Sequence, residues 1–101
     1  GGTLVLYCHQ PVAIRLAARM LGMNGHEPDD EMVRDAIGEL VNQTAGTIKR
    51  RLCASEQEIV LSVPLVVQGT PLVHYVKSTT DPLTVELETS EGVLCMCLWK
   101  A

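Results

Sequence analysis

The sequence predicts an α+β fold, with a mainly antiparallel sheet and two helices packed on one face of it. Three observations predict this fold. Apolar residues recur with a helical period over two segments of the first half, and strand-like segments fill the second half. One further strand-like segment precedes the helices, which gives the order β-α-α-β-β-β-β. The chain shows no internal repeat or linker, so we expect one domain over residues 1–101.

The first two predicted elements are a strand and a short helix. The run TLVLYC, from Thr3 to Cys8, has apolar residues on both faces and is typical of a strand in the middle of a sheet. The following segment, PVAIRLAARMLG, places Pro11 in the first helical turn and Gly22 just past the last. This helix is mostly apolar.

The second helix is the longest predicted element and covers the segment DDEMVRDAIGELVNQTAGTIKRRL. Asp29 or Asp30 offers an N-cap, and acidic residues fill the first turn. Basic residues fill the last turn, at Lys49, Arg50 and Arg51. Both ends of the helix therefore complement its dipole.

Four strands are predicted after the helices, in the segments QEIVLSVP, TPLVHYVKS, LTVELET and GVLCMCLWK. In the third of these, Leu83, Val85 and Leu87 alternate with polar residues, as on a sheet with one wet face. The sequence TSEG at residues 89–92 is a turn that joins the last two strands into a hairpin.

Composition and charge exclude several classes of function. The hydrophobic fraction is 47%, and no apolar run approaches the roughly 18 residues of a membrane span, so we expect a soluble protein without a membrane partner. The formal net charge is -4, and basic residues cluster only at positions 49–51. This distribution argues against nucleic acid as a partner.

The cysteines and histidines do not indicate a metal or thiol site. No C-x-x-C or H-x-x-x-H pair is present among the four cysteines and three histidines. Cys95 and Cys97 lie two apart in an apolar strand and share one face, as small buried hydrophobic residues do. Cys8 beside His9 is a weak candidate for a nucleophile, because adjacent strand residues point to opposite faces.

The side chains of the second helix separate onto two opposite faces. An apolar stripe roughly 100° wide contains Val33, Ile37, Leu40, Val41, Thr44 and Ile48. Asp35, Glu39, Asn42 and Gly46 fall within roughly 60° of one another, nearly opposite this stripe. We call these four residues the outer ridge.

The simplest interpretation of the outer ridge is a solvated surface, since the exposed face of a helix is normally polar. Three details disfavour it. Asp35 and Glu39 are like charges at i, i+4, which destabilises a helix by a few tenths of a kcal/mol. Asn42 is a weak helix former, and Gly46 costs roughly 1 kcal/mol against Ala. A face selected for stability would contain none of these features.

The same residues suit docking and the placement of a water. Gly46 lets another backbone come close, and Asn42 offers a donor and an acceptor on one short arm. Glu39 can pair with a Lys or Arg of a partner, while Asn42, one turn along, holds a water through its carboxamide. The ridge would then align a nucleophile without a metal or a base of its own.

At these residues the sequence resembles the CheC, CheX and FliY family of chemotaxis phosphatases. The family signature is an acid or Ser, three residues, Glu, two residues, Asn, and a Pro further along. Here it corresponds to Asp35, Glu39, Asn42 and, after 21 intervening residues, Pro64. Gly46 and the segments GELVNQTAG and TLVLYCHQPVAIRLAARMLG also look like the family. The resemblance covers essentially the whole chain and implies a CheC-like fold.

The resemblance implies a substrate and roles for the ridge residues. The substrate is the phospho-aspartate of a response-regulator receiver domain such as CheY, with Mg²⁺ held by the receiver and no cofactor bound by this chain. Glu39 would bind the active-site Lys of the receiver, and Asn42 would orient the attacking water. Asp35 and Gly46 would support substrate binding, and Pro64 would shape the end of a strand.

Within this family the chain looks most like CheX. The first helix has no E-x-x-N, so only one helix carries the signature, unlike the two-site CheC. The resemblance therefore implies a homodimer and, with it, a cytoplasmic protein of chemotaxis signalling. We expect the chain to lack the additional helix and strand that the family usually has ahead of the strand near Thr3.

Two other functions remain open on the sequence. The same fold serves as a non-catalytic scaffold in flagellar switch proteins. The first alternative is therefore a scaffold that binds a receiver and holds it without turnover. The second is a dimerisation module whose outer ridge is solvated and binds nothing. Glu39 and Asn42 argue against a pure scaffold, since a scaffold needs no amide that positions water.

Overall fold

The computed structural model of the chain describes residues 2–52 and 81–100. The elements are β1 (Gly2–Tyr7), α1 (Gln10–Met20), α2 (Asp30–Leu52), β2 (Leu83–Thr89) and β3 (Gly92–Lys100). This α+β arrangement confirms the predicted fold class. The predicted strands QEIVLSVP and TPLVHYVKS, together with Pro64, lie outside the described residues.

The three described strands form one antiparallel sheet in the order β1-β3-β2. On one side of β3, Tyr7 of β1 is opposite Cys95, and on the other side Glu86 of β2 is opposite the same residue. The pair Thr89 and Gly92 closes the predicted hairpin between β2 and β3. Among the described strands, β3 is therefore the central one, and β1 is at an edge rather than in the middle.

The bounds of α2 follow from its capping residue and its charged ends. Asp29 is the N-cap: its Oδ1 accepts a hydrogen bond of 2.8 Å from the backbone N–H of Met32, and its carbonyl accepts one from Val33. Acidic residues lie in the first turn and basic residues in the last, as predicted.

No helix in the described part of the chain is both long enough and apolar enough to cross a membrane.

The two helices pack against each other through small side chains. Ala17 of α1 is fully buried, and Val33 and Ala36 of α2 are buried against it. Ala13, Ile14 and Ile37 pack around this cluster. Small residues at the contact allow the two helix axes to approach closely, so α1 fixes which face of α2 points inward.

Each helix also contacts the sheet, but neither reaches β2 in the part of the chain that is described. α1 packs on β3, and α2 contacts β1. Two of the three apolar side chains of β2 are exposed, Leu83 by 64% and Leu87 by 40%. Val85 is half-buried, so the burial along β2 does not alternate residue by residue as the sequence pattern predicts.

A polar contact fastens α1 to the turn between β2 and β3. The Arg15 guanidinium donates two hydrogen bonds, of 3.1 and 2.9 Å, to the backbone carbonyl of Glu91. Arg19 Nη1 lies 3.0 Å from the Glu91 carboxylate. The same turn is held from inside by Val12 of α1, which packs on the backbone of Gly92.

We predict that Gly92→Ala destabilises the protein by about 3 kcal/mol, because the substitution adds backbone strain to a steric clash. Gly92 has a φ of +135°, and a Cβ atom there would lie 2.6 Å from Cγ2 of Val12. The control is Gly25→Ala, where φ is +84° and nothing lies within 4 Å of the new Cβ, so the loss should be about 1 kcal/mol. Urea unfolding measures both, and equal losses would contradict the close approach of α1 to the turn.

Candidate functional site

The outer ridge lies on the side of α2 that faces away from α1. Asp35, Glu39 and Asn42 are exposed, and Gly46 is half-buried. The opposite side of α2 carries the buried residue Val33. The helix periodicity therefore predicted the orientation of α2 correctly.

Regular helical geometry sets the spacing of the ridge. Each residue advances about 1.5 Å along the axis, so Glu39 and Asn42 are separated by about 4.5 Å of rise and lie on the same face. From Asp35 to Gly46 the ridge is about 16 Å long. A carboxylate and a carboxamide are thus presented side by side on a rigid element, which favours precise placement of a bound group.

The Glu39 carboxylate is held by a neighbour on the same helix. Gln43 Nε2 donates a hydrogen bond of 3.2 Å to Glu39 Oε1. An ionised carboxylate accepts about four hydrogen bonds, so this contact leaves most of its capacity open. In the described residues Glu39 has no ion pair, so its charge is available to a cation from outside.

The carboxamide of Asn42 makes no hydrogen bond to any part of the chain that the structure describes, and the same holds for the carboxylate of Asp35. Asn42 therefore offers one acceptor and two donor hydrogens to the outside. Such a group holds a water at a defined point and has no proton to give or take at neutral pH. Asn42 can therefore position a water molecule but cannot act as an acid or a base.

Gly46 opens the surface of α2 beyond Asn42. Within 4 Å, a Cβ atom at Gly46 would meet only Nη1 of Arg50, at 3.5 Å, among the side chains and neighbouring elements that the structure describes. Arg50 is itself held to the helix, since its Nη2 donates a hydrogen bond of 3.2 Å to Thr47 Oγ1. The packing of the described residues therefore does not require a glycine at position 46.

Sequence periodicity missed two residues that matter for this site. Ala36 is one of the most buried residues of α2, and it lies at the edge of the predicted apolar stripe. Gln43 lies beside the outer ridge, and periodicity does not predict its hydrogen bond to Glu39, although four residues is a spacing at which helix side chains meet. The i, i+4 spacing was the available signal for Gln43.

Thr44 belongs to the predicted apolar stripe despite its hydroxyl. Its Oγ1 donates a hydrogen bond of 2.8 Å to the Leu40 carbonyl, one turn earlier. This bond satisfies the hydroxyl locally, so the half-buried side chain requires no partner from another element.

The thiols in the described chain do not form a nucleophilic site. Burial raises the pKa of the Cys8 thiol, which disfavours the thiolate that nucleophilic attack requires. His9 is the N-cap residue of α1. On β3, Cys97 is buried and Cys95 half-buried, and a hydrogen bond to Cys97 is the main cause that raises the pKa of Tyr7.

No group of three or more His, Cys, Asp or Glu side chains within residues 2–52 and 81–100 is arranged to hold a metal ion. The acidic residues of the outer ridge follow one another along a single helix face and do not converge on a point. The outer ridge brings together Asp35, Glu39 and Asn42 of the predicted signature, and Pro64 lies outside the residues that the structure describes.

Comparison with known proteins assigns a family to the chain. No curated protein and no solved structure gives a significant match. The model of the family described as chemotaxis phosphatase CheX matches residues 1–88. The matched residues include all of β1, α1 and α2, and therefore the whole outer ridge. This chain belongs to the CheX chemotaxis phosphatase family.

Proposed function

We propose that this protein accelerates hydrolysis of the phospho-aspartate of a CheY-like receiver domain, and that residues 1–101 form a single CheX-like domain. The observation that carries the proposal is the joint exposure of Glu39 and Asn42, one turn apart on the outer ridge. Membership of a chemotaxis phosphatase family supports the same activity. The substrate is thus another protein, which docks on α2.

In the proposed complex Glu39 provides the charged docking contact. Its carboxylate is exposed and has no ion pair in the described chain, so it pairs with an ammonium group of the receiver. Desolvation at the interface strengthens such a pair and makes its geometry specific. The resemblance to the family assigns this ammonium to the active-site Lys of the receiver.

Asn42 enters the receiver site and orients the attacking water. The water oxygen bonds to phosphorus, the bond between phosphorus and the aspartyl oxygen breaks, and inorganic phosphate leaves a free carboxylate behind. Protons from the water stay on the phosphate or pass to solvent, so the carboxamide need not act as a base. Its contribution is the loss of translational and rotational freedom of the water before reaction.

Asp35 and Gly46 support substrate binding in this scheme. Asp35 is exposed one turn before Glu39 and adds negative charge next to it. Gly46 leaves room for the receiver backbone beyond Asn42.

The resemblance to the family implies that Mg²⁺ is held by the receiver and not by this chain. The homodimer and the cytoplasmic location stay predictions of the same resemblance.

We expect Asn42→Ala to lower the turnover rate by about 100-fold, because one precisely placed polar group is lost from the reacting site. Receiver affinity should change little. The assay is phosphate release from phosphorylated receiver domains of the same source, with the protein at catalytic amounts. Asn24→Ala is the matched control, since it removes an exposed carboxamide from the loop after α1. Full activity of Asn42→Ala would overturn its role.

For Glu39→Ala the main effect should fall on binding. Loss of one member of a desolvated charge pair costs at least about 2 kcal/mol, which is roughly a 30-fold weaker affinity for the phosphorylated receiver. Titration calorimetry measures this directly. Glu88→Ala serves as the control, because Glu88 is also an exposed acid and lies on β2, away from α2. Equal affinities for the Glu39→Ala and Glu88→Ala variants would exclude Glu39 as a docking residue.

The substitution Gly46→Ala separates folding from docking. It should stabilise α2 by about 1 kcal/mol, because Ala is the better helix former and its Cβ makes only an ordinary contact. It should also weaken receiver binding, because the methyl group occupies the space left for the partner. Thermal unfolding and receiver affinity are measured on the same sample. Unchanged affinity in the stabilised variant would show that Gly46 does not serve docking.

These assays also distinguish the alternative functions. Stoichiometric receiver binding with an unchanged phosphate lifetime would identify a scaffold that holds the receiver. If no receiver binds and all ridge variants match the wild type, the outer ridge is a solvated helix surface and the proposed function is wrong.

A further inference from the structure

We infer that Gln43 is a positioning residue that orients the Glu39 carboxylate without neutralising it. The inference rests on the proposed function and adds to it a requirement on the charge of the side chain at position 43. The observation that carries it is the hydrogen bond of 3.2 Å from Gln43 Nε2 to Glu39 Oε1.

The surroundings of Glu39 on α2 contain no cation at helical contact spacing. The residues three and four positions away are Asp35, Ala36, Asn42 and Gln43. Glu followed four residues later by Lys is a common stabilising pair on exposed helices. Here the same position carries a neutral amide, although the helix has four basic residues elsewhere, at Arg34, Lys49, Arg50 and Arg51.

A neutral donor and a cation at position 43 have different consequences for a docking carboxylate. An amide N–H restricts the rotation of the Glu39 side chain and leaves its full negative charge to the partner. A lysine would restrict the rotation as well, but its ammonium would compete with the ammonium of the receiver. Gln43 thus supplies orientation, and the absence of charge preserves affinity.

The bond has no evident role in holding the fold together. Both Gln43 and Glu39 are exposed, and neither belongs to the buried cluster between the helices. An exposed pair of this kind contributes little to the stability of a helix. Its effect is therefore expected on the conformation of Glu39, which is the group that the proposed function uses.

The test compares Gln43→Lys and Gln43→Ala in the receiver dephosphorylation assay, with kcat and KM measured separately. Gln43→Lys should raise KM about fivefold, the fold-change that corresponds to a competing exposed ion pair of about 1 kcal/mol. Gln43→Ala should raise KM about twofold, since only the orientation of Glu39 is lost. In both variants kcat should stay at the wild-type value, because Asn42 is untouched.

Two readouts separate positioning from a structural effect. Gln43→Lys should keep or raise the midpoint of thermal unfolding while it raises KM, because the new Glu39–Lys pair stabilises the helix. Thr47→Lys is the control for added charge: it places a lysine one turn further along the helix, where the residue four positions earlier is the neutral Gln43. The KM of the Thr47→Lys variant should remain near that of the wild type.

The outcomes are distinct. If the wild type is active and Gln43→Lys has the wild-type KM, or if Gln43→Lys and Thr47→Lys raise KM equally, the inference on Gln43 is wrong while the proposed function stands. If the wild type accelerates decay of no phosphorylated receiver, both the proposed function and the inference fail.

Discussion

The packing of α1 against α2 determines which face of α2 points outward, and the candidate site depends on that contact. Ala17 and Ala36 are small enough for the two helices to approach closely, and with Val33 they form the buried cluster. This contact fixes the rotation of α2 about its own axis. A rotation of roughly 100° would replace each residue at the contact with α1 by its neighbour in the sequence. The direction in which Glu39 and Asn42 point is thus determined from the opposite side of the same helix.

The outer ridge lowers the stability of α2 in return for a surface that can dock. Two adjacent acids repel each other by a few tenths of a kcal/mol, and a glycine in the helix interior costs about 1 kcal/mol. The fold offsets this with a capped start at Asp29, acidic and basic ends that complement the dipole, and the buried contact with α1. Residues that reduce stability without a packing reason are typical of functional surfaces.

Much of the described fold follows from local patterns. The N-cap at Asp29 and the hairpin turn at residues 89–92 are determined by interactions within one helix or one hairpin, so the sequence predicts them. The orientation of the outer ridge depends on packing against α1, but the sequence still predicts it, because the apolar stripe of α2 has to face the core. The exposure of Leu83 depends on which strands the helices cover, and the contact between Val12 and Gly92 depends on tertiary packing. Neither is encoded in periodicity. The hydrogen bond between Gln43 and Glu39 is only partly predictable. The spacing of four residues allows it, but whether it forms depends on the conformations of the two side chains.

The proposed function requires that Glu39 pairs with an ammonium group of a phosphorylated receiver. The most direct measurement is a double-mutant cycle on the affinity of the complex, with Glu39→Ala in this protein and Lys→Ala at the active-site lysine of the receiver. We expect a coupling energy of at least about 1.5 kcal/mol, as for close charge pairs at protein interfaces. Additive effects, with a coupling below about 0.5 kcal/mol, would show that the two groups do not meet and that Glu39 does not dock the receiver in this way.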